Sequence, residues 1–174
     1  RKTRHRIRSL HRDNPDAQIA LVGCYATLRP EISARFLGVS WVIPNPEKAH
    51  AAQIVTGEPA SSLSVPFHSG DQQDTLRTRA FIKAQDGCDH HCTYCVVRSL
   101  RGATRSRPVA DITAEINCLT EQIGCREAVL TGASIGAYGR DLRQSQDLHA
   151  LLRTILSDTD IPRLRLSSVE PWDI

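Results

Sequence analysis

Cys88-Asp89-His90-His91-Cys92-Thr93-Tyr94-Cys95 places three thiols within eight residues of a 174-residue chain. Thiolates are soft ligands, and a set of them on one loop selects zinc or an iron–sulfur cluster over hard cations. A structural zinc ion takes four protein ligands, and a cubane cluster is ordinarily held by four cysteines. Three cysteines leave one metal position open, which is a feature of sites that do chemistry rather than of sites that only hold a fold. His90 or His91 is available as a fourth ligand for zinc, although both lie between the cysteines in a spacing that matches no common zinc finger.

The other cysteines are scattered: Cys24, Cys118 and Cys125. An even count of six is compatible with the disulfides of a secreted domain. The crowding of three of them, and no visible export signal, favour a reducing compartment and metal binding instead. Cys118 and Cys125 read as inert packing residues. Hydrophobic residues make up 40% of the chain, enough for a packed core and too many for global disorder. No apolar run approaches the ~18 residues of a membrane-spanning helix. The net charge of +3 is unevenly placed: residues 1–12 carry six arginines and lysines and no acid, so the remainder sums to −3. Such a stretch fits a polyanion such as RNA, or a solvated helix face. The chain begins at Arg1 and contains no methionine, so it is expected to be an internal piece of a longer polypeptide.

The elements that must position these residues follow from periodicity. Residues 2–12 read as a basic helix ended by Asn14-Pro15-Asp16. Ile19–Val22 reads as a strand running into Gly23-Cys24. A helix is expected from Pro30 to before Gly38 with Ile32, Phe36 and Leu37 inward, then a strand at Ser40–Ile43 and a helix at Pro46–Val55. Gly-, Pro-, Ser- and Asp-rich residues without a period then suggest a linker. After it come a strand at Arg79–Ala84, the cysteine loop, and a helix after Pro108 with Ile112, Ile116, Leu119 and Ile123 on one face and Gly124 as its C-cap. A strand at Arg126–Gly132, a helix carrying Leu148, Leu151, Leu152, Ile155 and Leu156, and a strand at Arg163–Ser168 complete a strand–helix–strand–helix–strand order, that of a parallel α/β sheet.

Cys-x3-Cys-x-aromatic-Cys resembles the signature of radical S-adenosylmethionine (SAM) enzymes. The stretch from Thr78 to Pro108, with Arg101-Gly102 and Arg105-Ser106-Arg107 after the cysteines, is similar to the methylthiotransferase branch. Leu21–Ala26, LVGCYA, is similar to the third cysteine motif of that family's N-terminal domain. Leu130–Leu142, LTGASIGAYGRDL, and the closing LRLSSVEP resemble the branch acting on threonylcarbamoyladenosine in tRNA. The resemblance implies an α/β fold in three parts: residues 1–57 from the end of an open methylthiotransferase N-terminal domain, a linker at 58–76, and 77–174 as the first half of a (β/α) radical SAM barrel.

It also implies chemistry. Cys88, Cys92 and Cys95 would hold one [4Fe–4S] cluster, whose open iron is chelated by SAM. One electron would cleave SAM to a 5′-deoxyadenosyl radical that abstracts hydrogen from an adenine of tRNA. Cys24 would ligate a second [4Fe–4S] cluster, from which sulfur is delivered, and another SAM would supply the methyl group. Tyr94 would lie near the SAM adenine, Thr131 and Gly132 around its amino group, and Ser168 and Glu170 at further SAM contacts, all at the carboxyl ends of strands. No side chain is assigned an acid–base role. The implied partners are tRNA and an electron-donor protein, in the cytoplasm and without a membrane. The family usually has proline where this chain has Arg98, which puts the shape of the loop behind the cysteines in question. Isopentenyladenosine in tRNA and a ribosomal-protein aspartate are the alternative substrates. A zinc-binding RNA module without catalysis is the alternative class.

Overall fold

The computed structural model describes residues 2–59, 79–142 and 146–173. The chain divides into two compact units, Arg1–Pro66 and Phe67–Ile174. Of the linker expected at 58–76, all but its first two residues lie outside the described residues.

In the first unit, α1 (Lys2–Asp13) buries only Ile7, which packs on Leu21 and Ala26. The basic residues of α1 are therefore left on its outer faces. Strands β1 (Ile19–Gly23) and β2 (Val39–Pro44) pair in parallel, with Leu21 opposite Val42 and Gly23 opposite Pro44. Parallel strands need a crossover, and here it consists of two short helices, α2 (Cys24–Leu28) and α3 (Pro30–Ala34). The helix expected from Pro30 to Gly38 is thus only five residues long. Phe36 packs inward, but Ile32 is 37% and Leu37 75% exposed, contrary to the expectation. One turn and a half cannot aim residues 32, 36 and 37 at one core. The helix expected at Pro46–Val55 is a 3-10 turn, Asn45–His50, leading into α4 (Ala51–Thr56).

The second unit is a parallel sheet in the order β3 (Arg79–Lys83), β6 (Glu127–Thr131), β7 (Arg163–Leu166). In register, Ala80, Ala128 and Leu164 align across it, as do Ile82, Leu130 and Leu166. Two helices cover that face, α6 (Val109–Ile123) and α7 (Leu148–Asp158). Ile82, Ala128 and Leu130 form one core with Ile112 and Ile116 of α6 and Leu151 and Ile155 of α7. Helix α6 ends at Gly124 in the left-handed conformation, as its sequence foretells. Asp147 caps α7 by accepting from the Ala150 amide at 2.8 Å. Cys118 is exposed rather than packed, because it stands about 200° around the helix from Ile116. Cys125 is buried and its Sγ donates to the Glu127 carbonyl at 3.4 Å.

The opposite sheet face aligns Arg79, Glu127 and Arg163, then Phe81, Val129 and Arg165. Phe81 is 69% exposed. The Glu127 carboxylate, 10% exposed, meets Arg79 Nε at 2.7 Å, Arg165 Nε at 3.3 Å and Arg163 Nη1 at 3.4 Å. One acid so joins all three strands. No helix among the described residues is long and apolar enough to cross a membrane.

The two faces of α7 give a direct test. Ile155 is fully buried and Leu156 is 65% exposed. Ile155→Ala should cost about 3 kcal/mol of unfolding free energy in urea, and Leu156→Ala less than about 0.5 kcal/mol. Equal losses would show that α7 docks by a different face.

Candidate metal centre and its surroundings

Strand β3 does not stop cleanly. The Ala84 amide donates to the Thr131 carbonyl at 2.9 Å, so the chain stays beside β6 for one more residue. Gln85–Asp86 (β4) then pairs antiparallel with Arg105–Ser106 (β5), Gln85 opposite Ser106 and Asp86 opposite Arg105. This two-residue clip closes the base of the loop that carries all three clustered cysteines. Gly87 leaves the clip at φ +73°, where a side chain is strained, and a Cβ there would overlap the Ala103 carbonyl oxygen. The Cys88 amide then donates to Gly102 O at 3.1 Å.

Charges hold the same loop. Asp86, 8% exposed, accepts from the Gly87 amide at 3.0 Å and meets Arg101 Nη1 at 3.3 Å and Lys83 Nζ at 3.5 Å. Asp89 Oδ1 accepts from Arg98 Nη1 at 3.2 Å and from the Thr104 amide at 3.3 Å. Hydrogen bonding from Thr104, with the nearby Arg98 charge, holds the Asp89 carboxyl below the usual carboxylate range. Arg98 lies in the first turn of α5 (Val97–Arg101). A backbone amide there has no partner within the helix, so proline's missing N–H would cost no helical hydrogen bond at this position.

Cys88, Cys92 and Cys95 are free thiols on this one loop, Cys88 half-buried and the other two exposed. Among the described residues, no three Cys, His, Asp or Glu side chains stand close enough together to hold a metal ion. The donor set still fits a soft metal. Asp86 and Asp89 are engaged by cations and amides, and the His90 ring meets the Trp172 ring edge-on at 6.0 Å between centroids. The three thiols remain as donors on the loop, with the imidazole of exposed His91 beside them. Tyr94 is 88% exposed, so it is not part of the apolar core. Thr131 is the last residue of β6, its Oγ1 donating to the Ile82 carbonyl at 3.2 Å, and Gly132 follows at the strand's carboxyl end. Ser168 and Glu170 are exposed beyond β7. Their segment reaches the cysteine loop through Trp172 and His90. In the first unit, Cys24 is a free, half-buried thiol at the first residue of α2. It follows Gly23, whose φ +100° and ψ −149° belong to a region open essentially to glycine alone. Tyr25 Oη accepts from Arg4 Nε at 2.8 Å, which ties the basic helix to the segment after Cys24.

In the sequence, Arg105-Ser106-Arg107 and the GAYGRD segment mark the resemblance but give no sign of what their side chains do. In the structure they hold each other. Ser106 Oγ donates to Asp141 at 2.6 Å and accepts from the Gly139 amide at 2.9 Å. Arg107 Nη1 donates to Glu115 at 2.6 Å and to the Lys83 carbonyl at 2.9 Å. Tyr138 Oη donates to the Arg107 carbonyl at 2.6 Å. Burial, with the Asp141 charge, pushes the Tyr138 phenol up to about 12, so it remains a donor at any physiological pH. Gln85 was also missed, although a Gln-Asp pair ending an apolar strand directly before Gly-Cys asks for an explanation.

No family model matches the chain. Curated relatives do. The threonylcarbamoyladenosine tRNA methylthiotransferase MtaB of Rickettsia prowazekii is 34% identical over 182 residues, covering 100% of this chain and 43% of that protein. Its namesake from Thermotoga maritima is 35% identical over 185 residues, covering 100% of this chain and 41% of the relative. The tRNA-2-methylthio-N(6)-dimethylallyladenosine synthase of Sphingopyxis alaskensis is 34% identical over 175 residues, 93% of this chain and 39% of the relative. Spanning about two fifths of the length of these relatives, and carrying both of its cysteine motifs at strand ends, the chain belongs to the methylthiotransferase family.

Proposed function

We propose that this chain forms part of a radical SAM enzyme that adds a methylthio group to an adenosine of tRNA. The observation that carries the reading is the cysteine loop itself. It is anchored by the β4–β5 clip at the carboxyl end of a parallel sheet, where the backbone of Ala84 bonds to that of Thr131. Ligands of open α/β sheets bind outside that end. Relatives named as tRNA methylthiotransferases, matched over the whole chain, support the same reading.

Cys88, Cys92 and Cys95 would hold a [4Fe–4S] cluster which, when bound and reduced, supplies radical chemistry on SAM at its open iron. This chain's own residues would bind and orient. Asp86, held by Lys83 and Arg101, fixes where the loop starts. Tyr94, Thr131, Gly132, Ser168 and Glu170 would contact SAM. Cys24 would be one ligand of a second [4Fe–4S] cluster used for sulfur delivery. Residues 1–57 would then come from the methylthiotransferase N-terminal domain and 77–174 from the radical SAM core, acting with tRNA and an electron-donor protein in the cytoplasm. Threonylcarbamoyladenosine is the favoured nucleoside, on the Leu130–Leu142 segment and on the relatives from R. prowazekii and T. maritima. Two other substrates keep a specific support. The S. alaskensis relative is named for dimethylallyladenosine, and a uS12 methylthiotransferase of Desulfotalea psychrophila is 30% identical over 176 residues.

In the complete gene product, reconstituted anaerobically, Cys88→Ala, Cys92→Ala and Cys95→Ala should each abolish reductive cleavage of SAM. Cleavage retained in any of the three sinks the assignment, and zinc in place of iron and sulfide on metal analysis would favour a non-catalytic module. Cys24→Ala should leave 5′-deoxyadenosine formation largely intact, lower the iron by about half, and eliminate methylthiolation in digests of tRNA analysed by mass spectrometry. Normal methylthiolation in that variant would remove Cys24 from the chemistry.

A further inference from the structure

The side chain of Gln85 is 1% exposed and lies between two loops that the proposed chemistry needs together. Its Nε2 donates to the carbonyls of Asp86 at 3.0 Å and Gly87 at 2.7 Å, the two peptide units directly before Cys88. Its Oε1 accepts from the Ser134 amide at 2.9 Å, in the loop that leaves β6 through Gly132. Both amide hydrogens are thus used toward the cysteine loop and the oxygen toward the β6 loop. The amide has one sensible orientation, since turning it over would set oxygen against two carbonyls and NH2 against an N–H. Gly132 makes room for it: a Cβ at that position would stand 2.8 Å from Gln85 Oε1 and 3.2 Å from Gln85 Cβ. The small residue at the end of β6 is required by Gln85 whatever else approaches there.

We propose that Gln85 is a positioning residue that locks the cysteine loop to the loop after β6, so that the thiols and the Gly132–Ser134 backbone move as one body. The functional consequence rests on the radical SAM reading; the lock itself does not. The two loops are 49 residues apart in sequence, and this carboxamide bonds both. A residue that only filled space would be replaced without loss by an apolar side chain of equal length. A lock would not, because three polar backbone groups would lose their partner in a buried place.

Three variants of the complete gene product test it: Gln85→Met, which keeps volume and removes every bond; Gln85→Glu, which keeps an acceptor for Ser134 and turns oxygen toward the two carbonyls; and Gly132→Ala, which pushes the amide off Ser134 without altering it. Amide hydrogen exchange is read first, in protein free of iron and SAM. Gln85→Met and Gly132→Ala should each speed exchange at Ser134 by about tenfold, and Gln85→Met should speed it at Cys88 as well. Gln85→Glu should disturb Cys88 more than Ser134. After reconstitution, iron per chain should match the unmutated protein, while KM for SAM rises about tenfold and the change in the reduced cluster's electron paramagnetic resonance spectrum on adding SAM is weakened. Unmutated exchange at Ser134 in Gln85→Met overturns the lock, and so does an unmutated KM in a protein that does cleave SAM. If the unmutated protein neither binds iron nor cleaves SAM, the radical SAM reading falls, and the exchange rates still decide the lock.

Discussion

Two peptide units hold the cysteine loop in place. Gln85 and Asp86 pair with Arg105 and Ser106, and every feature of the loop is measured from that clip. Because the clip is so short, it cannot be stable on its own backbone bonds. It is reinforced from both ends. Ala84 on one side bonds Thr131 of the sheet and receives the Arg107 amide at 2.9 Å. Arg107 on the other side reaches back to the Lys83 carbonyl and across to Glu115 of α6. The loop is thereby referred to the sheet and to a helix at once, while its far side, with Cys92 and Cys95, stays exposed. A loop that is to take up a metal, as proposed above, needs that division: a fixed base, and a tip whose thiols can close on the metal.

The sheet below is asymmetric in the same sense. One face is apolar and helix-covered, and the other is built from Glu127 and three arginines around Val129. A carboxylate at 10% exposure is costly to desolvate, and three guanidinium groups offset that cost while leaving an excess of positive charge. The cluster lies at the amino ends of β6 and β7, away from the cysteine loop at the carboxyl end. The polar network at one end fixes strand register, and the polar network at the other fixes the loop.

How much of this was legible depended on whether a signal was periodic. The α6 stripe Ile112–Ile116, the Gly124 cap and the buried β6 run were readable because apolar side chains repeat at the spacing of their element. Leu37 misled because an apolar residue beside Phe36 looks inward, whereas a five-residue helix has no complete face to offer. Cys118 misled for the converse reason: it lies on a long helix, but on the wrong side of it. The Cys88–Cys95 run was readable as a soft-ligand set from its spacing, and the structure carries all three thiols on one loop. The β4–β5 clip left no trace, because two residues show no period and their partners stand 21 and 19 positions away.

Gln85, Ser106 and Tyr138 carry the deeper lesson about motifs. Two segments that mark the resemblance, Arg101–Arg107 and Gly136–Asp141, spend several of their polar groups on each other and on the base of the cysteine loop. Ser106 is committed to Asp141 and Gly139, Tyr138 to a backbone carbonyl, and Arg101 to Asp86. Such groups have little capacity left for a ligand. What the motif specifies is then a frame that keeps three thiols and one strand end in register. A frame of this kind tolerates few substitutions, since each buried hydrogen bond lost leaves a polar atom stranded. The exposed positions Tyr94, Ser168 and Glu170 lie outside this frame, and substitutions there should cost the fold little.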